Sequence, residues 1–236
     1  MEPSRTKIIA CEVLIKEILD FMPPGMEHEA IDVGLHVNPH SLRQALKECI
    51  ERAADTVDTI VLGYGLCSKA VEGLSSVRSK IVVPRVDDCI GILLGSREAH
   101  RSESLREPGT YYLTRGWVDA GKHLFEEYRY MEKRFGPKKA MKLMDTMLKH
   151  YTRLAFIKTG PEKDLDRYLE YCHRIAQQFG LRLEEIAGSV ALVEKMIFGP
   201  WDEEFVVVLP GREIPLEEWL RDPQPSVPSD SSGGPQ

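Results

Sequence analysis

Three cysteines carry the clearest capacity for chemistry in this chain. Cys11, Cys67 and Cys89 each follow a short apolar run, in KIIAC, IVLGYGLC and KIVVPRVDDC. They are 56 and 22 residues apart, so no compact C-x-x-C pair is present. Three thiolates gathered at one place would bind a zinc ion with its fourth position open. They would equally hold an iron–sulfur cluster with one iron free of protein ligands. The remaining two cysteines read differently. Cys49 and Cys172 fall on the apolar faces of helical patterns and are expected to be structural.

What must position the three thiols is a set of strands that alternate with helices. The continuous apolar runs Lys7 to Cys11, Ala30 to Leu35, Thr59 to Leu62, Lys80 to Val83 and Thr110 to Leu113 predict strands. Between them lie helical patterns, including one that opens at Asn38-Pro39-His40-Ser41. A long helical stretch from Asp119 to about Tyr151 is interrupted near Gly136-Pro137. Further strands are expected at Leu154 to Lys158, Leu183 to Ala187 and Phe205 to Leu209, with helices from Asp164 to Phe179 and Val190 to Phe198.

Continuous strands joined by helices indicate an α/β fold whose parallel sheets carry helices on both faces. The expected arrangement is two Rossmann-like lobes joined by long helices: a larger lobe over 1–118, connector helices over 119–151, and a smaller lobe over 152–221. One continuous doubly wound sheet is the alternative. The segment 222–236, rich in Pro, Ser and Gly, is expected to be disordered.

In parallel sheets, ligands bind outside the carboxyl ends of the strands. Cys11, Cys67 and Cys89 all fall there, an edge for which a packing residue has no preference. Asp87 or Asp88 is placed to cap a helix with Cys89 in its first turn. The helix dipole would then favour thiolate while the acidic neighbours oppose it. Gly63 and Gly65 would let a cofactor approach the backbone closely. Arg115, after the fifth strand, suits an anionic group, and Glu12 and His100 are candidates for proton transfer. His36 or His100 could add a fourth ligand. GYGLCS lacks the Gly-Lys-Ser/Thr ending of a phosphate-binding loop.

A net charge of -6 gives no general reason to expect nucleic acid as a partner. No apolar run of about eighteen residues suggests a membrane span, and the N-terminus lacks the pattern of a signal peptide. Five cysteines without a secretion signal imply a reducing, cytoplasmic setting.

The motifs ACEVL, GYGLC, PRVDDCIGILLGS and PGTYYLTRGW resemble those of the uncharacterised family known as domain of unknown function 1638, over about residues 6 to 210. The resemblance carries Cys11, Cys67 and Cys89 with it. It implies a setting in corrinoid-dependent methyl transfer, with a corrinoid protein or methyltransferase as partner. The expected function is a metal-dependent enzyme or accessory protein acting on a small anionic substrate, with zinc or an iron–sulfur cluster between the lobes. A non-catalytic binding module and a metallochaperone are the alternatives.

Overall fold

A computed structural model of the chain describes residues 5–159 and 164–220. Strands β1 (Thr6–Cys11), β2 (Glu27–Ile31), β3 (Thr59–Gly63) and β4 (Lys80–Pro84) are parallel neighbours in the order β2-β1-β3-β4. Helices α1 (Glu12–Ile18) and α2 (Pro39–Ala53) cover opposite faces of this sheet, and α3 (Cys89–Leu93) and α4 (Arg97–Arg106) follow β4. Because side chains alternate along a strand, β1 sends Ile9 and Cys11 to the α2 face. Ile8 and Ala10 go to the α1 face.

A second, smaller sheet contains β5 (Thr110–Leu113), β6 (Arg153–Lys158) and β7 (Arg182–Ala187), all parallel. Helices α5 (Arg115–Ala120), α6 (Leu124–Phe135) and α7 (Pro137–Met147) connect β5 to β6, and α8 (Leu165–Phe179) connects β6 to β7. Then come α9 (Ala191–Phe198), β8 (Phe205–Val208) and α10 (Glu217–Leu220). The fold is α/β with parallel sheets and Rossmann-like, as the patterning predicts.

Two strands sit in the sheet opposite to the one their place in the chain suggests. β5 leaves the first four strands and pairs with β6, where Thr152 and Arg153 N–H groups bond to the Gly109 carbonyl. β8 returns to the first sheet and pairs antiparallel with β4, Ile81 opposite Val208. Both pairings join segments far apart in sequence, so local pattern carries no trace of them. The expected strand Ala30 to Leu35 also differs: β2 ends at Ile31, and Val33–Val37 forms a short 3-10 turn. The Asp32 carboxylate accepts from the Gly34 N–H at 2.6 Å, a local bond that turns the chain out of the sheet. The tail expected at 222–236 lies outside the described residues.

The sheets are joined through a buried carboxylate. Glu17 of α1, 1% exposed, accepts from the Gly116 N–H and from the Thr159 hydroxyl at the end of β6. A Cβ on Gly116 would lie 2.4 Å from the Val13 carbonyl, so only glycine lets α5 lie this close to α1.

Candidate metal centre

The carboxyl edge of the first sheet faces the second sheet across a cavity of about 460 Å³, and Cys11, Cys67 and Cys89 all line it. Each thiol is placed by a different local device. Cys11 ends β1 and caps α1. Cys67 follows β3 in a short turn with φ +43°, a left-handed conformation uncommon outside glycine. Cys89 opens α3 behind the Asp88 cap, whose carboxylate accepts from the Ile90 and Gly91 N–H groups at 2.9 and 3.4 Å.

The Cys67 and Cys89 segments are bonded to each other through backbone. Leu66 N–H donates to the Val86 carbonyl at 2.9 Å, and Cys67 N–H donates to Asp87 at 3.0 Å. Gly65 makes this possible, since a Cβ there would meet the Val86 oxygen at 2.5 Å and the Asp88 nitrogen at 2.6 Å. Gly63 likewise gives its space to Ala10 and Leu14. The two glycines therefore make room for neighbouring protein, where open room for a cofactor was expected. Their effect on the cavity is indirect: they hold its thiol-bearing segments together.

Burial dominates the thiols' ionisation. It pushes Cys11 up to about 11, against the lowering effect of the Val13 and Leu14 N–H groups. Cys67 is pushed up to about 12 by burial and then by the Asp88 carboxylate. Cys89 is raised as well, by burial, by Asp88 and by the other two thiols. The dipole of the short helix α3 does not prevail at Cys89. Among the described residues, no group of three or more His, Cys, Asp or Glu is arranged to hold a metal ion. The three thiols surround a shared space and do not converge on one point.

His36 lies on the cavity wall, stacked on Tyr64 with ring centroids 5.8 Å apart. Its Nδ1 is 3.1 Å from the Val33 carbonyl, an acceptor only, so Nδ1 carries the proton. Burial lowers its pKa, which leaves a neutral ring with a free Nε2 lone pair. That is the tautomer a metal-ligating histidine adopts.

The other sequence candidates stand off the cavity. Arg115 is the first residue of α5, and its guanidinium faces the end of α1, bonding to Asp20 and the Lys16 carbonyl at 3.1 Å each. Glu12 accepts from the Val33 N–H at 3.1 Å and ties β2's exit to α1. His100 stands one layer back, with Nδ1 3.7 Å from Asp88 and its ring edge-on to Tyr112. Cys49 hydrogen-bonds to Glu29 at 3.1 Å, and Cys172 is sealed in the core of the second sheet.

Sequence reasoning missed the opposite wall: Tyr111, Tyr112, Trp117 and Tyr151. Tyrosines at the start of a strand look like ordinary strand formers, so nothing local marks them. It also passed over Tyr64, inside the GYGLC motif. Tyr64 is 1% exposed, and among the described residues its hydroxyl has no hydrogen-bond partner. Trp117 Nε1 is likewise buried and unpartnered, and the Tyr112 hydroxyl has Ser104 beside it without a well-formed bond. Buried donors without acceptors are rare; Tyr112 and Trp117 line the cavity, and Tyr64 packs behind it against His36.

In α/β folds of parallel strands, ligands bind outside the carboxyl ends of the strands, and that is the edge the three cysteines occupy. The family model described as Protein of unknown function (DUF1638) matches residues 30–197, and the chain belongs to that family. Neither the curated proteins nor the solved structures gave a match.

Proposed function

We propose that this chain is a metal-dependent enzyme or accessory protein whose centre is held by Cys11, Cys67 and Cys89. The observation that carries the reading is that three thiols, from the ends of three adjacent parallel strands, line one cavity. A soft sulfur donor set of this kind selects zinc or iron–sulfur centres. Tyr64, whose buried hydroxyl has no hydrogen-bond partner among the described residues, packs in the same core cluster as Cys11. When bound, such a centre supplies a Lewis-acidic or electron-transfer position facing the substrate.

The chain's own residues would do the rest. His36 offers a neutral ring nitrogen at the cavity wall. Tyr111, Tyr112, Trp117 and Tyr151 form an aromatic wall opposite the thiols. No lysine or arginine is among the described lining residues. Negative charge on a small substrate would therefore be met by the metal position, and Arg115 would have no part in it. The one-carbon setting, with a corrinoid protein or methyltransferase as partner, rests on the family resemblance alone.

Anaerobic purification followed by metal analysis tests the reading. Bound metal is expected in the native protein and absent from a Cys11→Ser, Cys67→Ser, Cys89→Ser triple variant. Metal-free native protein, with all three thiols open to alkylation, would refute it. A second reading, a non-catalytic binding module, draws on Cys11 being 2% exposed and packed in the core. It predicts that the triple variant, once shown to be folded, keeps its affinity for a partner.

A further inference from the structure

We propose that the hairpin of α6 and α7 is a docking surface for an acidic segment of a partner protein, with Phe135 as its apolar anchor. The inference is independent of the metal reading, since no residue of the thiol cavity takes part in it.

Charge is the first argument. Residues 129–149 carry seven Lys or Arg against two acidic residues, in a chain whose net charge is -6. The rest of the molecule is therefore more acidic than the whole, and strong positive charge is concentrated on one helical hairpin.

Pairing is the second. Several lysines elsewhere are engaged: Lys7 with Glu29 at 2.7 Å, Lys122 with Asp32 at 2.6 Å, Lys158 with Glu185 at 3.2 Å and Lys195 with Asp202 at 2.7 Å. Lys133, Lys138, Lys142 and Lys149 are exposed, and among the described residues none of their ammonium groups has a carboxylate or hydrogen-bond partner. Of the two acidic residues, Glu132 accepts from the Tyr128 hydroxyl at 2.8 Å, and Asp145 is exposed one turn after Lys142 without pairing to it. Lys138 and Lys142 lie one turn apart, on the side of α7 opposite the buried Ala140 and Met144. Lys138 and Lys139 also occupy the first turn of α7, where the positive end of the helix dipole opposes them. That placement costs helix stability, so packing does not account for it.

The third argument is the aromatic anchor at the turn between the helices. Phe135 is 41% exposed, with the Arg134 guanidinium 5.3 Å and the Lys139 ammonium 4.9 Å from its ring centroid. Arg134 also donates to the Tyr130 hydroxyl at 2.9 Å, and Tyr130 and Met147 are exposed as well. Aromatic, Met and Arg side chains are the types enriched in protein interfaces, and charged groups form the rim around them. The occupant that matches is a peptide segment with carboxylates on either side of an apolar side chain. A long polyanion such as nucleic acid would extend past the hairpin onto the acidic remainder of the chain, which repels it.

The test is fluorescence anisotropy of a labelled peptide of glutamates and leucines, titrated with the full chain. Duplex DNA and phosphatidylserine vesicles are titrated in parallel. The peptide is expected to bind, and more weakly as salt rises. A Lys133→Glu, Lys138→Glu, Lys142→Glu triple variant should lose about tenfold or more in affinity. Lys47→Glu, on α2, should lose nothing. Phe135→Ala should lose several-fold with its salt dependence unchanged, because an apolar anchor has gone and no charge has. Lys138→Glu alone should bind several-fold more weakly yet unfold at no lower temperature, since the helix dipole favours a carboxylate there. Earlier unfolding would assign Lys138 to packing and remove it from the surface, and unchanged affinity in Phe135→Ala would do the same for the anchor. Absence of peptide binding, or equal affinity in the triple variant, overturns the proposal. Tighter binding of DNA or of vesicles than of the peptide overturns the protein partner.

Discussion

The two sheets meet at the cavity with opposite kinds of buried polar chemistry. At the start of the second sheet, Arg153 is 0% exposed and fully engaged. It donates to the Thr110 hydroxyl at 2.9 and 2.7 Å and pairs with Glu103, Glu107 and Glu184 at 2.7, 3.5 and 3.1 Å. Arg106 and Arg182 bind the same carboxylates from outside. Across the cavity, at the carboxyl edge of the first sheet, the thiols are neutral and the Tyr64 hydroxyl has no hydrogen-bond partner among the described residues. The Arg153 cluster is closed on itself, so it holds Thr110 in place. On the other side a buried donor is left over, which is where a ligand's own atoms belong. A polar cluster that satisfies itself therefore reads as scaffold, and one that does not reads as a site.

The comparison breaks most severely at Arg153. Arg153→Met should destabilise the protein by about 3 kcal/mol, because three carboxylates lose their shared cation. Urea unfolding measures this, and a loss below about 1 kcal/mol would show that Arg106 and Arg182 suffice. Gly65→Ala comes next. Its Cβ would press on backbone that cannot move aside cheaply, so a loss of about 2 kcal/mol is expected. Metal content should fall with it, since the Cys67 and Cys89 segments must separate. The same substitution with full metal retention would show that their contact does not build the site.

The smallest effect sharpens the contrast by its sign. Tyr64→Phe removes a buried hydroxyl that has no partner, so the metal-free protein should gain about 1 kcal/mol. Thermal unfolding of metal-free samples reads this directly. A loss of stability would mean that Tyr64 is satisfied in solution and belongs with the scaffold.

Much of the fold was legible because its signals are local. Thr110 to Leu113 forms the strand that its apolar pattern predicts, and the Asn38 cap opens α2. The Asp88 cap places Cys89 in the first turn of α3, and Gly180 closes α8 in a left-handed conformation. The strand-end rule for parallel sheets was enough to bring Cys11, Cys67 and Cys89 to one cavity. Arg115 was misjudged because residue type and strand-end position say nothing of direction. Its helix packs on α1 through Gly116, and that turns the guanidinium toward Asp20. The aromatic wall was missed because β5 had to leave its sequence neighbours before Tyr111 and Tyr112 could face the thiols.

Short-range chemistry, then, was settled by the chain's own order: where strands and helices begin and end, and which edge of a sheet each motif cysteine occupies. Those outcomes depend on backbone dihedral preferences, capping and apolar period, all of which act over a few residues. Only the tertiary structure decided that β5 joins β6, that β8 returns to β4, and that Tyr111, Tyr112 and Tyr151 line the same cavity as the thiols. Such choices depend on pairing energies summed over segments distant in sequence, where one strand's pattern suits several partners equally. The same holds for Tyr64: its residue type is plain in the sequence, but the absence of a partner for its hydroxyl is a property of everything packed around it.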